Sequence, residues 1–353
     1  MEATTASSIQ KNEMLPFPPS FIDRLTDWVQ QLPIPYWLTY LVFFILHSFI
    51  NHIFGWVDGS APAFKFDPII PMFPLWLWGP LAIITYLDAT ALEALSRFSP
   101  LLDASPEAMR QLKYEFTTMP ARGVLINSCI WAGFYGIFTL LAYPTYVALG
   151  FRTLGIIHTI LDGLIVFSIG SAIFYHSIRQ LRLVQQTVKL VKHFDLFRLE
   201  PVYAFSILTS RTGIAWVFLS VLTLLMSPFQ VSSVRWLEIG PAVSVVLALS
   251  AFALPLWVVH RRLAQEKSKL LEEHGQRVKL TLERLHHSVD ENDLEDGTRL
   301  NSVLEGLNTE GNMLEKIRTW PWKTETLAGF LSAIGLPIGL LLLQLALQKW
   351  LNL

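Results

Sequence analysis

The sequence predicts an all-α polytopic membrane protein with seven transmembrane helices, a cytosolic amino terminus and an extracytoplasmic carboxyl terminus. Three observations predict it. Only 16% of the 353 residues are charged and 52% are hydrophobic, against roughly 25% charged in an ordinary soluble domain. The apolar residues gather repeatedly into charge-free runs of about 20, the length that crosses a bilayer. Lys and Arg, finally, fall almost entirely in alternate connections between those runs.

The first segment, 1–33, lacks the basic stretch, short apolar core and small-residue cleavage site of a signal peptide, so it is expected to remain on the mature protein. Ser20-Phe21-Ile22-Asp23 reads as a capping box. Phe21, Ile22, Leu25, Trp28, Val29 and Leu32 then recur at helical spacing, which predicts an amphipathic helix lying in the membrane interface. A six-helix transmembrane region follows over 34–259, with spans at 34–56, 69–92, 123–149, 153–177, 207–229 and 237–259. Only Gly150, Phe151 and Arg152 separate the third span from the fourth, which requires a tight helical hairpin or a re-entrant segment.

A cytosolic extension occupies 178–206. Residues 178–200 should continue the fourth span as an amphipathic helix with Leu183, Val184, Val188, Val191 and Phe194 near one face, until Pro201 interrupts it. The fifth span then starts near Tyr203 and passes Arg211. A cytosolic helical hairpin, 260–322, comes next. Its first arm, 260–288, would project about 43 Å and stop at Asp290-Glu291-Asn292-Asp293. Its second arm, 298–318, carries Leu300, Val303, Leu304, Leu307, Leu314 and Ile317 as an apolar stripe. Gly306 and Gly311 weaken that arm by about 1 kcal/mol each. Trp320-Pro321-Trp322 breaks the chain with interfacial anchors before the seventh helix, which lies in 323–353 with its span at 326–350.

With the amino terminus inside, of the 27 Lys and Arg only Lys65, Arg152, Arg235 and Lys349 fall outside. Dropping any one span would put a strongly basic segment on the wrong face, so the asymmetry requires an odd number of spans. The net charge of −1 gives no global attraction to nucleic acid, and the chain is expected in a plasma or cell membrane. The single cysteine, Cys129, sits in an apolar run and reads as a small buried hydrophobe. His286-His287 with Asp290 and Glu291 reads as solvated surface, because adjacent histidines point to different faces of a helix. No phosphate-binding loop, nucleophile elbow, zinc motif or potassium-filter sequence occurs, so no enzyme activity, cofactor or metal is expected.

Two clusters remain as candidate sites. From Thr326 to Gln348 there is no charge, and Leu341, Gln344, Leu345 and Gln348 share one helical face. A hydrophobic anchor would explain the apolar residues. Around an axis, however, the leucines would form a dewetting gate and the amides would coordinate ions. In the fourth span His158 and Asp162 lie four residues apart. An acid at that depth costs on the order of 2.5–3.5 kcal/mol by insertion scales and needs a partner or water. The pair reads first as a hydrogen-bonded contact that fixes helix packing, next as part of a ligand pocket or ion vestibule, and last as a proton relay. Trp76, Trp78, Trp131, Tyr135, Tyr143 and Tyr146 cluster near the outer halves of spans two to four. Most fit an interfacial belt, while Pro71, Pro74, Pro80 and Pro144 could open space between helices. A candidate ligand pocket therefore takes His158, Asp162, Trp131, Tyr135 and Tyr143.

This pattern resembles the insect odorant and gustatory receptors and the wider gustatory-receptor-like proteins, a superfamily of seven-helix ion channels. The likeness rests on the inverted topology, the short outer loops, the cytosolic prolongation of helices four to six, and the split last helix. That family often carries Thr-Tyr, five apolar residues and Gln-Phe in the last span. Here Gly339-Leu340-Leu341-Leu342-Leu343-Gln344-Leu345 matches the apolar stretch and the Gln, with Pro337 and Ile338 in place of Thr-Tyr and Leu345 in place of Phe. From about residue 20 onward, the resemblance implies a homotetramer whose last helices line a central pore above a cytosolic anchor, with a ligand pocket among spans two to six. Gln344 would then set selectivity, and Leu341 and Leu345 would stand near the gate. The function expected is an oligomeric, poorly selective cation channel, constitutive or opened by a small organic ligand. Two alternatives stand beside it: a membrane-anchored sensor or scaffold that uses the hairpin, and a proton-coupled transporter.

Overall fold

The computed structural model describes residues 16–148, 151–226, 236–335 and 339. Helix α1, Phe21–Gln30, starts as its sequence requires: Ser20 Oγ accepts the Asp23 N–H at 3.2 Å while Asp23 Oδ2 accepts the Ser20 N–H at 2.8 Å. It also packs into the bundle. Ile22 and Val29 are fully buried, and Asp23 Oδ2 also accepts the Met119 N–H at 3.0 Å, which ties α1 into the bundle. On its other face Trp28 stacks on Phe43, with ring centroids 6.2 Å apart.

Helices α2 (Tyr36–Asp58), α3 (Met72–Phe98), α4 (Pro106–Thr117) and α5 (Ala121–Ala148) follow. Gly59, at φ +79°, ends α2 in the left-handed conformation that glycine adopts without a Cβ clash. Ser105 caps α4 ahead of a proline at its first position. Helices α6 (Thr153–Gly170) and α7 (Ala172–Lys189) are separated only by Ser171. Helix α8 is Ala204–Met226, α9 is Trp236–Asp290 and α10 is Leu294–Lys316; a last helix, α11, is described over 324–335.

Among the described residues six helices are long and apolar enough to cross a membrane. Their burial is uneven in an informative way. The apolar window of α2 is only 17% buried, whereas that of the span from Glu200 through α8 is 56% buried. Leu41, Ile45 and Phe49 on α2 and Ile126, Ile130, Phe134, Ile137 and Leu141 on α5 lie exposed at helical spacing. Large apolar stripes open to the surroundings suit lipid and would be a liability in water. Cys129, expected to be buried, is exposed on α5 between Ile126 and Ile130 and shares that apolar face.

Two expectations about the extensions need correction. The helix predicted to reach residue 200 stops at Lys189, because its last carbonyls are capped from another element: Arg262 of α9 donates to Val188 O at 3.1 Å and Val191 O at 2.8 Å. Val191 and Phe194 still reach the core with Leu183, Val184 and Val188, but they do so from an irregular segment. The second arm of the hairpin starts at Leu294, four residues early, because Asp293 caps it by accepting the Asp296 N–H at 3.1 Å. Of its predicted stripe, Leu314 is buried while Val303 is exposed.

The first hairpin arm is continuous with its span. Helix α9 has 55 residues, about 82 Å of unbroken helix at 1.5 Å per residue. Lys267 of α9 caps α10 as Arg262 caps α7, donating to Glu315 O at 2.7 Å and Ile317 O at 3.0 Å. The Trp-Pro-Trp break falls between α10 and α11, as predicted, and carries an aromatic stack. Trp320 lies on His260 (4.0 Å) and Trp322 (4.4 Å), and Phe252 continues the stack to Phe330 of α11 (4.2 Å).

One close approach sets the bundle's geometry. Pro80 in α3 has no N–H to offer the carbonyl of Trp76 four residues earlier, and that carbonyl stands against Gly170 of α6. Any Cβ at residue 170 would collide with it.

Candidate intramembrane polar site

Helices α2 and α6 meet through four polar side chains placed within apolar spans. His47 and Asn51 stand one turn apart on α2, and His158 and Asp162 one turn apart on α6, so each helix offers two groups on a common face. Asp162, 6% exposed, accepts from His47 Nε2 at 2.8 Å on one oxygen and from Asn51 Nδ2 at 2.8 Å on the other. Asn51 Oδ1 is then left to accept from His158 Nε2 at 3.0 Å. The sequence pair His158/Asp162 is thus joined through Asn51 rather than directly. The His158 ring also lies on Phe54, centroids 3.9 Å apart and 9° from parallel.

The donor pattern follows from what each atom can do. An Asn amide nitrogen only donates, so its bond to Asp162 fixes the amide orientation and leaves His158 Nε2 carrying a proton. His47 Nε2 faces a carboxylate oxygen, and His47 Nδ1 is buried without a hydrogen-bond partner. The indole N–H of Trp78, whose ring stands edge-on to His47 at 6.5 Å, is also buried and unpartnered. Trp78 Nε1 is a donor whatever the protonation of His47, so a water or hydroxyl oxygen between the two nitrogens would satisfy it.

A second polar pair of the same type lies nearer the basic end of the bundle. His176 of α7 meets Asp88 of α3 at 2.8 Å. Between the two pairs, Tyr40 of α2 hydrogen-bonds Thr85 of α3 at 3.1 Å. At the opposite end, Asp58 caps α6 from the end of α2 by accepting the N–H groups of Arg152 and Gly155, both at 2.9 Å. A buried carboxylate at a helix amino terminus satisfies orphan donors and the helix dipole together. Asp58→Ala is therefore expected to destabilise the protein by about 2 kcal/mol, with Asp58→Asn recovering part of the loss. Thermal unfolding in detergent checks both.

The remaining expected residues are placed differently. Tyr135 is buried beside Gly163, donates to Thr159 O at 2.9 Å and lies along Phe167 with centroids 4.6 Å apart, so it adjoins the cluster's helix. Trp131 faces Phe174, 4.8 Å away, and Tyr143 is 52% exposed on α5. Pro80 and Pro144 lie inside helices, whereas Pro71 caps α3. His287 pairs with Glu291 on the exposed hairpin, and no group of three or more metal-ligating side chains occurs among the described residues. Leu341, Gln344, Leu345 and Gln348 lie outside the described residues.

His47, Asn51, Asp58, Asp88 and His176 carry no expectation in the sequence reading. A signal was present for the first three: 47, 51 and 58 repeat at four and seven residues inside an apolar run, which places them on one face of a span. No family model, no curated protein and no solved structure matches the chain, so the assignment of this all-α, membrane-embedded fold rests on its own geometry.

Proposed function

We propose that the chain is a seven-span subunit of an oligomeric, poorly selective cation channel, most simply a homotetramer, in which α11 and its continuation line the pore. The supporting observation is the way α11 is delivered. Helix α10 returns along α9, the Trp-Pro-Trp stack turns the chain, and α11 docks by one face only. Phe330 and Ile334 pack with Phe252 and Leu256 of α9 and Val217 of α8. Gly213 of α8 makes that contact close, since a Cβ there would come within 2.7 Å of the Phe330 ring and 2.9 Å of Ala248 O. Leu331 remains 53% exposed, and the space beside Gly329, Gly335 and Gly339 is open. A helix without charge from Thr326 onward, docked on one side and open on the other, suits association around an axis.

On this reading Gln344 and Gln348 face the ion path and Leu341 and Leu345 close it, and the chain reaches its seven spans with the amino terminus inside. Ion flux into liposomes is expected to change by about tenfold or more in Leu341→Ala and to change its cation preference in Gln344→Glu, because ring substitutions act in every subunit. Unchanged flux and preference in both would remove the pore from α11.

The His47–Asp162–Asn51–His158 cluster favours a second reading, a proton-coupled transporter. Intramembrane ionisable groups that pair with one another are typical of proton relays, and the pair Asp88–His176 with Tyr40–Thr85 between adds further polar groups along the same bundle. That reading predicts a pH-driven uptake that is lost when Asp162 alone is neutralised.

A further inference from the structure

We propose that the protein binds the phosphate of an anionic lipid headgroup at the basic end of its bundle, in a cavity formed by Arg97, Arg198 and Lys323. The cavity, about 250 Å³, is lined by those three cations and by Glu200, Pro100, Pro201 and Tyr203. Its walls come from the end of α3, the segment entering α8 and the start of α11. The first two are ends of helices long and apolar enough to cross a membrane, which puts the cavity at the height where headgroups lie. A phosphodiester offers several oxygens to several donors at once, which suits convergent guanidinium and ammonium groups.

The cations differ in how they are engaged. Arg97 is held by Glu93 at 2.6 Å and Lys323 by Glu200 at 2.5 Å. Lys192 nearby is engaged by Asp103 at 2.8 Å. No ion pair holds Arg198 among the described residues, so the cavity contains one guanidinium available to an anion without breaking a bond. Positive charge exceeds negative around the rim.

What marks the guest as a lipid, and not a free anion, is the adjoining segment. Leu190 is 59% exposed and Phe197 is 73% exposed, and they alternate with Lys189, Lys192, His193 and Arg198 in the sequence. Exposed apolar side chains interleaved with basic ones read as a membrane-surface element, with rings among the acyl chains and cations among the phosphates. Phe197 and Arg198 are consecutive, so one residue anchors in the chains and the next reaches the headgroup. A bound headgroup would bridge α3, α8 and α11, coupling lipid composition to the position of the last helix. The site needs only membrane embedding and stands whether or not α11 lines a pore.

The test titrates the delipidated full chain in detergent with phosphatidylserine, with phosphatidylcholine and with inorganic phosphate, read by native mass spectrometry and by thermal shift. Phosphatidylserine is expected to bind with preference over phosphatidylcholine, to weaken by about fivefold for each of Arg97→Ala, Arg198→Ala and Lys323→Ala, and to be unaffected by Arg299→Ala on the hairpin. Phe197→Ser should weaken phosphatidylserine and leave inorganic phosphate unchanged. Equal binding of the two lipids, equal loss in Arg299→Ala, or retention of phosphatidylserine in the Arg97/Arg198/Lys323 triple variant would overturn the proposal. Binding of inorganic phosphate with no lipid preference would overturn the choice of a lipid as its source.

Discussion

Replacement of Asp162 by alanine is expected to cost about 2–4 kcal/mol of stability. The carboxylate is the hub of its cluster, and its removal leaves His47 and Asn51 without their acceptors between α2 and α6. A single hydrogen bond between transmembrane helices is worth only about 0.6 kcal/mol on average, so two lost bonds would not reach this figure. The larger contribution is the desolvation of the groups left behind, about 1–3 kcal/mol for each buried polar atom without a partner. The thermal midpoint in detergent measures the effect, and a midpoint within experimental scatter of the wild type would show that water fills the gap. Asp162→Asn separates packing from chemistry: it retains one acceptor, should keep most of the stability, and abolishes only a function that needs an ionisable group.

Gly170→Ala should be comparably damaging, at about 3 kcal/mol, although it adds a single methyl group. The atom it meets, the carbonyl oxygen of Trp76, belongs to the backbone, so no side-chain rotation relieves the overlap and α3 must move away from α6. Overpacking of this kind ordinarily costs about 1–3 kcal/mol, and small residues are what allow membrane helices to approach. Gly133→Ala and Gly136→Ala on α5 provide the contrast, because nothing lies within 4 Å of a Cβ at either position. There the gain in helix propensity, up to about 1 kcal/mol, should make the protein slightly more stable. A similar response at all three positions would show that α3 and α6 are not in close contact.

The elements legible in the sequence are those fixed by local rules. The capping box at Ser20, the amphipathic stripe through Val188, the Trp-Pro-Trp break and the apolar spans follow from periodicity and punctuation along one segment. What escaped was contact between segments. In the sequence Arg262 and Lys267 count only among the cytosolic cations, yet they end α7 and complete α10 by donating to carbonyls more than 40 residues away in sequence. Asp162 is legible as a buried acid needing a partner, but its partners, His47 and Asn51, lie on another helix more than 100 residues earlier in the chain. Gly170 likewise resembles any glycine in a span until the Trp76 carbonyl of α3 is placed opposite it.

The unbroken course of α9 has a mechanical consequence. Between Pro255 and Gly275 α9 has neither proline nor glycine, so this stretch, about 28 Å long at 1.5 Å per residue, carries rotation as one piece. Arg262 and Lys267 attach α7 and α10 to that stretch near its middle. The short non-helical link 317–323 ahead of α11 is pinned to the same helix, by Lys267 at Ile317 O and by Trp320 stacked on His260. A shift of this part of α9 would therefore reach α11 through the stacked rings of His260, Trp320 and Trp322.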